Sequence, residues 1–267
     1  MADRRLCLIT GASAGIGAAF ARIYASHGWD VALTARRAER LVALADEIRL
    51  RYGVETLVLP ADLIDPATPE KLLSAIEAEG RTVDALVNNA GYSTPEGFAA
   101  NPWAVHRTFL QVMLIAPTEL AHRVLPSMLD QRFGRIVNVC SLAGLVPSSA
   151  GDTLYGPTKG FLIKFSQGLY LETRDKGVHV TALCPGYTYS EFHDVNGSRA
   201  KVSQAYPEWI WMGADEVAET GYEAAEANRS LSVPGAPNKA IAAILKVVPD
   251  EWTLQLAAQH AGRLGRL

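Results

Sequence analysis

The chain has 267 residues, 49% of them hydrophobic and 20% charged, a balance that excludes a disordered or fibrous polymer and suits a domain with a generous core. Its 25 basic and 28 acidic side chains leave a formal charge of −3, so no bulk positive field gathers nucleic acid or an anionic membrane, and any anion site has to be local. Three scattered cysteines, Cys7, Cys140 and Cys184, are too few for a disulfide framework or a metal quartet. With no leader-like start, they set the expectation of a cytoplasmic protein without a metal.

In chain order, short β-branched runs predict strands over 6–10, 31–35, 56–59, 85–87, 135–140 and 178–184, each apolar enough to be buried on both faces. Helical periodicity fills the intervals over 16–27, 38–51, 69–79, 103–131 and 158–176. The alternation predicts an α/β fold, a doubly wound parallel sheet with right-handed crossovers and helices on both faces, in a single domain over 1–267. Glu119, His122 and Arg123 interrupt the most hydrophobic long stretch, which therefore reads as a core helix and not a membrane span. After Cys184 come Pro185-Gly186 and a long polar stretch spotted with aromatics, then a helix over 215–228 and a short apolar run at 231–233. Two more helices follow, of core or interface type.

The first strand runs into Thr10-Gly11-Ala12-Ser13-Ala14-Gly15-Ile16-Gly17 at the opening of a helix. Gly11 suits a tight turn, Gly15 a close approach of phosphate to backbone, and Gly17 close packing of helix on sheet. The helix start then offers unpaired N–H groups to a pyrophosphate. A glycine turn without a ligand looks similar, but placement in the first strand–helix unit favours dinucleotide binding. Where such folds carry an acidic residue for the ribose 2′-hydroxyl, this chain has Arg36 and Arg37. Two cations ahead of a helix oppose its dipole, and a 2′-phosphate would justify them, which favours NADP(H) over NAD(H). The alternative is a pair of solvated surface arginines.

Tyr155 and Lys159 open another helix four residues apart, on one face. A phenol is a poor acid or base at neutral pH unless positive charge stabilises its anion, and Lys159 supplies such charge. Ser141, at the end of the strand over 135–140, is suited to hydrogen-bond a carbonyl or alkoxide. In isolation, a Tyr–Lys pair at this spacing is more often an ordinary surface pair.

Taken together, Thr10-Gly11-x-x-x-Gly15-x-Gly17, Asn88-Asn89-Ala90-Gly91, Ser141, Tyr155-x-x-x-Lys159 and Pro185-Gly186 resemble the short-chain dehydrogenase/reductase family over nearly the whole chain. The resemblance implies a Rossmann-type fold of about seven parallel strands. It implies Tyr155 as general acid/base, Lys159 on the nicotinamide ribose and lowering the Tyr155 pKa, and Ser141 on the substrate carbonyl. It also places Asp62 and Leu63 at the adenine, Asn89, Ala90 and Gly91 along the cleft, and Thr188 and Ser190 near the nicotinamide carboxamide. Two departures stand out. Met113 occupies a position where relatives often carry an Asn whose surroundings anchor a water near the lysine, chiefly through a backbone carbonyl; weakened but not abolished catalysis is expected. Ser141 lies 14 residues before Tyr155, one more than the usual spacing, with Ser148 and Ser149 in reserve.

The segment over 191–230 reads as a substrate cover, with Phe192, His193, Tyr206, Trp209, Trp211 and Met212 in it and Tyr92, Pro147 and Tyr187 as further wall candidates. Aromatics without a basic cluster favour a small hydrophobic ketone, aldehyde or secondary alcohol, although the same residues also suit a core or an interface. An NADP-binding sensor with little turnover, or an epimerase or lyase on the same fold, are the rival readings. By analogy with the family, a homodimer or homotetramer is expected, built on the helices over 103–131 and 158–176.

Overall fold

The computed structural model describes residues 4–94, 97–146, 152–191, 207–245 and 247–263. Seven strands form one parallel sheet: β1 (Leu6–Thr10), β2 (Asp30–Thr34), β3 (Thr56–Val58), β4 (Ala85–Asn88), β5 (Gly134–Val139), β6 (Val178–Leu183) and β9 (Leu231–Ser232), in the order β3-β2-β1-β4-β5-β6-β9. A separate two-residue pair, β7 (Thr188–Tyr189) with β8 (Met212–Gly213), is too short to show in any sequence period. The order reverses between β1 and β4, and a crevice opens there beyond the carboxyl ends of the strands.

Both faces are covered, as the uninterrupted apolar strands require. On one face α1 (Gly15–Ser26), α2 (Ala38–Tyr52) and α7 (Ala214–Glu226) bury Phe20, Tyr24, Leu41, Ile48 and Val217. On the other, α3 (Thr68–Ala78) and α5 (Ala116–Asp130) bury Ile76, Leu120, Val124 and Met128. Beside them runs α6 (Tyr155–Thr173), with Phe165 and Leu169 against the same core. Asn88 Nδ2 donates to Asn138 Oδ1 at 2.9 Å and Asn138 Nδ2 to Ser166 Oγ at 2.8 Å, so a buried polar chain sets β4, β5 and α6 in register just behind the crevice.

The long helix expected over 103–131 is not continuous. It is α4 (Trp103–Leu110), one wide π turn (Gln111–Ile115) and then α5. Pro117 lies in the first turn of α5 and has no N–H to offer the Met113 carbonyl four residues back, so an ordinary helical ladder cannot run through this point. Hydrophobic period is nearly the same in both forms, which is why the sequence reads as one helix. The chain ends in α8 (Ala236–Ile244) and α9 (Asp250–Arg263). Among the described residues no helix is long and apolar enough to cross a membrane.

Candidate active site

The turn after β1 is braced from across the strand-order reversal. Thr10 Oγ1 accepts the backbone N–H groups of Asn89 and Ala90 at 2.9 and 3.0 Å, while Asn89 Nδ2 donates to the Thr10 carbonyl at 2.9 Å. Gly11 and Gly15 take left-handed φ values of 67° and 54°, open to glycine without strain. A Cβ on Gly17 would collide with the Gly11 carbonyl oxygen, so Gly17 acts by packing. The α1 N-terminus has no side-chain cap and no acidic residue in its first turn. Its orphan N–H groups therefore suit the pyrophosphate of a nicotinamide dinucleotide, and the glycines leave the space to reach them.

Next to this turn stand Arg36 and Arg37, immediately after β2. Arg37 donates to Ser13 Oγ through Nε at 3.3 Å and Nη2 at 2.9 Å. Asp62 is held in a turn of its own, its carboxylate accepting Ile64 N–H at 3.0 Å and its carbonyl accepting Thr68 Oγ1 at 2.6 Å.

The chemistry-bearing side chains come from β5 and α6. Ser141 follows β5 and caps a short turn, its Oγ accepting Ala143 N–H at 3.1 Å. Leu142 N–H donates to the Pro185 carbonyl at 2.9 Å, tying this turn to the one after β6. Lys159 is 5% exposed, and its Nζ donates to the Val139 carbonyl at 2.7 Å and lies 5.7 Å from the centre of the Tyr155 ring. Burial pushes the Tyr155 phenol well above its usual value; a hydrogen bond from the Ser141 hydroxyl pulls it back, and the Asp152 and Cys140 charges add to the rise. The lowering expected from Lys159 does not occur: desolvation governs the phenol, and the group that pulls it down is Ser141 and not Lys159. Burial likewise lowers Lys159, against smaller opposing effects of Cys140 and Cys184.

Ser141, Tyr155, Lys159, the two arginines, Asp62 and most of the glycine turn share one cleft of about 730 Å³. Its walls include Gly11, Ser13, Ala14, Gly15 and Ile16 at one end and Ser141, Tyr155 and Lys159 at the other. Arg36, Arg37, Asp62 and Leu63 line it as well, as do Asn89, Ala90 and Gly91. Pro185, Gly186, Thr188 and Ser190 also line it, Ser190 against Gly15 of the glycine turn. Of the residues singled out from the sequence as cofactor-binding or catalytic, Gly17 alone is not in the lining.

The model of the short chain dehydrogenase family matches residues 5–200. The chain belongs to that family. Serine 3-dehydrogenase of Agrobacterium fabrum is 36% identical over 231 residues, 85% of this chain and 90% of that protein. Among solved structures, a short-chain dehydrogenase from Sphingobium yanoikuyae in complex with NADPH is 31% identical with a TM-score of 0.79, covering 92% of this chain and 96% of that one. A short-chain dehydrogenase/reductase from Burkholderia phymatum in complex with NAD is 25% identical with a TM-score of 0.78, covering 95% of each chain. This short-chain dehydrogenase is therefore an oxidoreductase of CH–OH or C=O groups that works with a nicotinamide dinucleotide.

Several walls of the dehydrogenase cleft escaped the sequence reading. Ile241 of α8, Leu245 just after it, and Thr253 and Ala257 of α9 line it, so the tail belongs to the site; the apolar faces of these helices fit core, interface or pocket equally well. Asp152, 7% exposed, lines the cleft three residues before Tyr155. The cover expected over 191–230 is narrowed. Helix α7 packs on α1, with the Phe20 ring against Gly221, and does not reach the cleft. Trp211 is 8% exposed between Tyr187 and Tyr189, ring centres 5.3 and 5.1 Å away, while Trp209 is 68% exposed. Tyr187 and Ile210 do line the cleft. Pro147, Ser148, Ser149, Phe192, His193 and Tyr206 lie outside the described residues.

Proposed function

We propose that this dehydrogenase prefers NADP(H) to NAD(H) and interconverts a small hydrophobic ketone or aldehyde with its alcohol, with Tyr155 as the general acid/base. The observation that carries the reading is the hydrogen-bonded Ser141–Tyr155 pair beside buried Lys159, at the opposite end of one cleft from the open helix N-terminus. When bound, the nicotinamide supplies or accepts the hydride. Ser141 orients the substrate oxygen, and Tyr155 gives its proton to that oxygen in reduction and takes it back in oxidation. Lys159 holds the nicotinamide ribose, its Nζ 5.7 Å from the centre of the Tyr155 ring. Of the two arginines after β2, Arg36 favours a 2′-phosphate while Arg37 is engaged by Ser13 and Glu191, and Asp62 and Leu63 meet the adenine.

Leu142, Val146, Ile210, Ile241 and Leu245, which line the same cleft as Tyr155, support an apolar substrate, with Ile210 as part of its cover. Exposed Trp103 on α4 and Phe161 and Leu171 on α6 support a homodimer or homotetramer built on these helices; the cytoplasmic location of this reading rests on the few scattered cysteines alone. The test is a screen of NADPH oxidation with hydrophobic ketones and aldehydes, run beside Tyr155→Phe. Loss of turnover in the variant supports the mechanism; equal turnover in both proteins removes it, and cofactor binding without any turnover favours a sensor.

A further inference from the structure

The two arginines after β2 sit in different electrostatic company. Arg37 is spent on protein partners: Nε and Nη2 go to Ser13, and Nη1 donates to Glu191 Oε2 at 2.8 Å. The other oxygen of Glu191 accepts from Arg40 Nη1, one turn further along α2. Both carboxylate oxygens are thus engaged by cations from a different part of the chain. Ser190, just before Glu191, lies directly on the glycine turn: a Cβ built on Gly15 would be 2.8 Å from Ser190 Cβ. Upstream, Thr188 and Tyr189 are pinned in the β7–β8 pair. Glu191 is therefore the fastening of a strap laid across the turn that receives the pyrophosphate. The two guanidinium groups hold its carboxyl below the usual range, so it is ionised through the neutral region.

Arg36 differs. It lines the cleft, is exposed, and has no hydrogen bond or ion pair among the described residues. It lines the cleft together with Asp62 and Leu63, the residues expected at the adenine. A phosphate dianion brought to Arg37 would meet the Glu191 carboxylate at once; one brought to Arg36 would meet an uncommitted cation.

We propose that Glu191, fastened over the glycine turn by Arg37 and Arg40, is a positioning residue that secures both nicotinamide dinucleotides alike, leaving Arg36 as the cation for the adenosine 2′-phosphate of the reading above. The Arg36 half rests on the NADP(H) preference proposed above; the Glu191 half needs only a nicotinamide dinucleotide in the cleft. Glu191 touches no group that distinguishes NADPH from NADH, so its loss falls equally on both.

The experiment titrates NADPH and NADH by nicotinamide fluorescence into the full-length protein and into Glu191→Gln, Arg40→Gln and Arg36→Ala. Arg40 is exposed and outside the cleft lining, so its change tests the fastening without touching the cofactor. The expected result is a common rise in both dissociation constants, about three- to ten-fold, in Glu191→Gln and Arg40→Gln, with the NADPH-to-NADH ratio unchanged. The variants should also lose part of the salt dependence that the unaltered protein shows with NADH, a change that a purely structural role does not produce. Arg36→Ala should weaken NADPH about ten-fold or more and NADH little. Unchanged affinities in both strap variants, or a change confined to NADPH, would overturn the role of Glu191. An Arg36→Ala protein with the original ratio would overturn the Arg36 assignment, and equal binding of the two cofactors by the unaltered protein would overturn the NADP(H) preference; neither alters the common factor that reads the strap.

Discussion

Lys159 Nζ donates to the Val139 carbonyl at 2.7 Å, joining the second turn of α6 to the end of the strand that delivers Ser141. The bond orients the ammonium but does not compensate its burial, which lowers the Lys159 pKa. A base lowered in this way is a charge the fold resists. Lys159→Met should therefore raise the melting temperature, by a stability gain on the order of 1 kcal/mol, while abolishing turnover. In the alkaline range just below 10.5 the unfolded chain binds more protons than the folded one, so the Lys159 penalty shrinks as pH rises. The stability gap between variant and parent should narrow there, as thermal melts at stepped pH will show.

Tyr155 shifts the other way. Burial favours the neutral phenol, so its proton is held more tightly than in free tyrosine. Reduction needs the protonated form, and kcat/KM for a ketone should stay flat across the neutral range. Oxidation needs the phenolate, and its kcat/KM should climb with pH well into the alkaline range. Tyr155→Phe should lower both by about 100-fold or more. A reduction profile that fell between pH ~6 and ~8 would assign the proton to another group.

The alternation of strands and helices was legible because each strand is buried on both faces and each helix keeps one apolar stripe. Site residues on strand ends and helix starts were legible for the same reason: Gly11, Ser141, Tyr155 and Pro185 sit where a regular element begins or stops. Contacts between elements distant in sequence were not. Nothing local in Glu191 announces a pairing with Arg37 and Arg40, and nothing in the period of α8 and α9 tells a pocket wall from an interface. The π turn was hidden because Pro117 alone marks it.

Met113 tests whether an amide matters at that place. It is 1% exposed, and its Sδ accepts the Tyr92 N–H at 3.3 Å. Pro117 withholds the ordinary helical donor from the Met113 carbonyl, the group to which the family's water contact is chiefly attributed. Met113→Asn should accordingly leave kcat within about two-fold while lowering stability by about 1–3 kcal/mol, since it buries a carboxamide where a thioether packed. A larger gain in kcat would show that the weakened catalysis expected from the sequence comes from the missing amide.

Two glycines of the α6 region make a controlled pair. A Cβ on Gly144 would lie 2.6 Å from the Lys159 carbonyl carbon and 2.7 Å from the Gly160 nitrogen, so the turn after Ser141 touches the α6 backbone directly. Gly144→Ala has to push that turn away from the helix and carry Ser141 away from Tyr155. Misplacement by about 1 Å is worth on the order of 100-fold in rate, so kcat should fall at least ten-fold. The Kd for NADPH should change less than about three-fold, because the glycine turn after β1 is untouched. Gly168, also in α6, has nothing within 4 Å of a built Cβ. Gly168→Ala should stabilise the protein by about 0.5–1 kcal/mol through helix propensity and leave kcat unchanged. Parallel melts and initial rates separate the two effects: a Gly144→Ala protein that keeps full kcat would show that close approach at this turn does not set the Ser141–Tyr155 geometry.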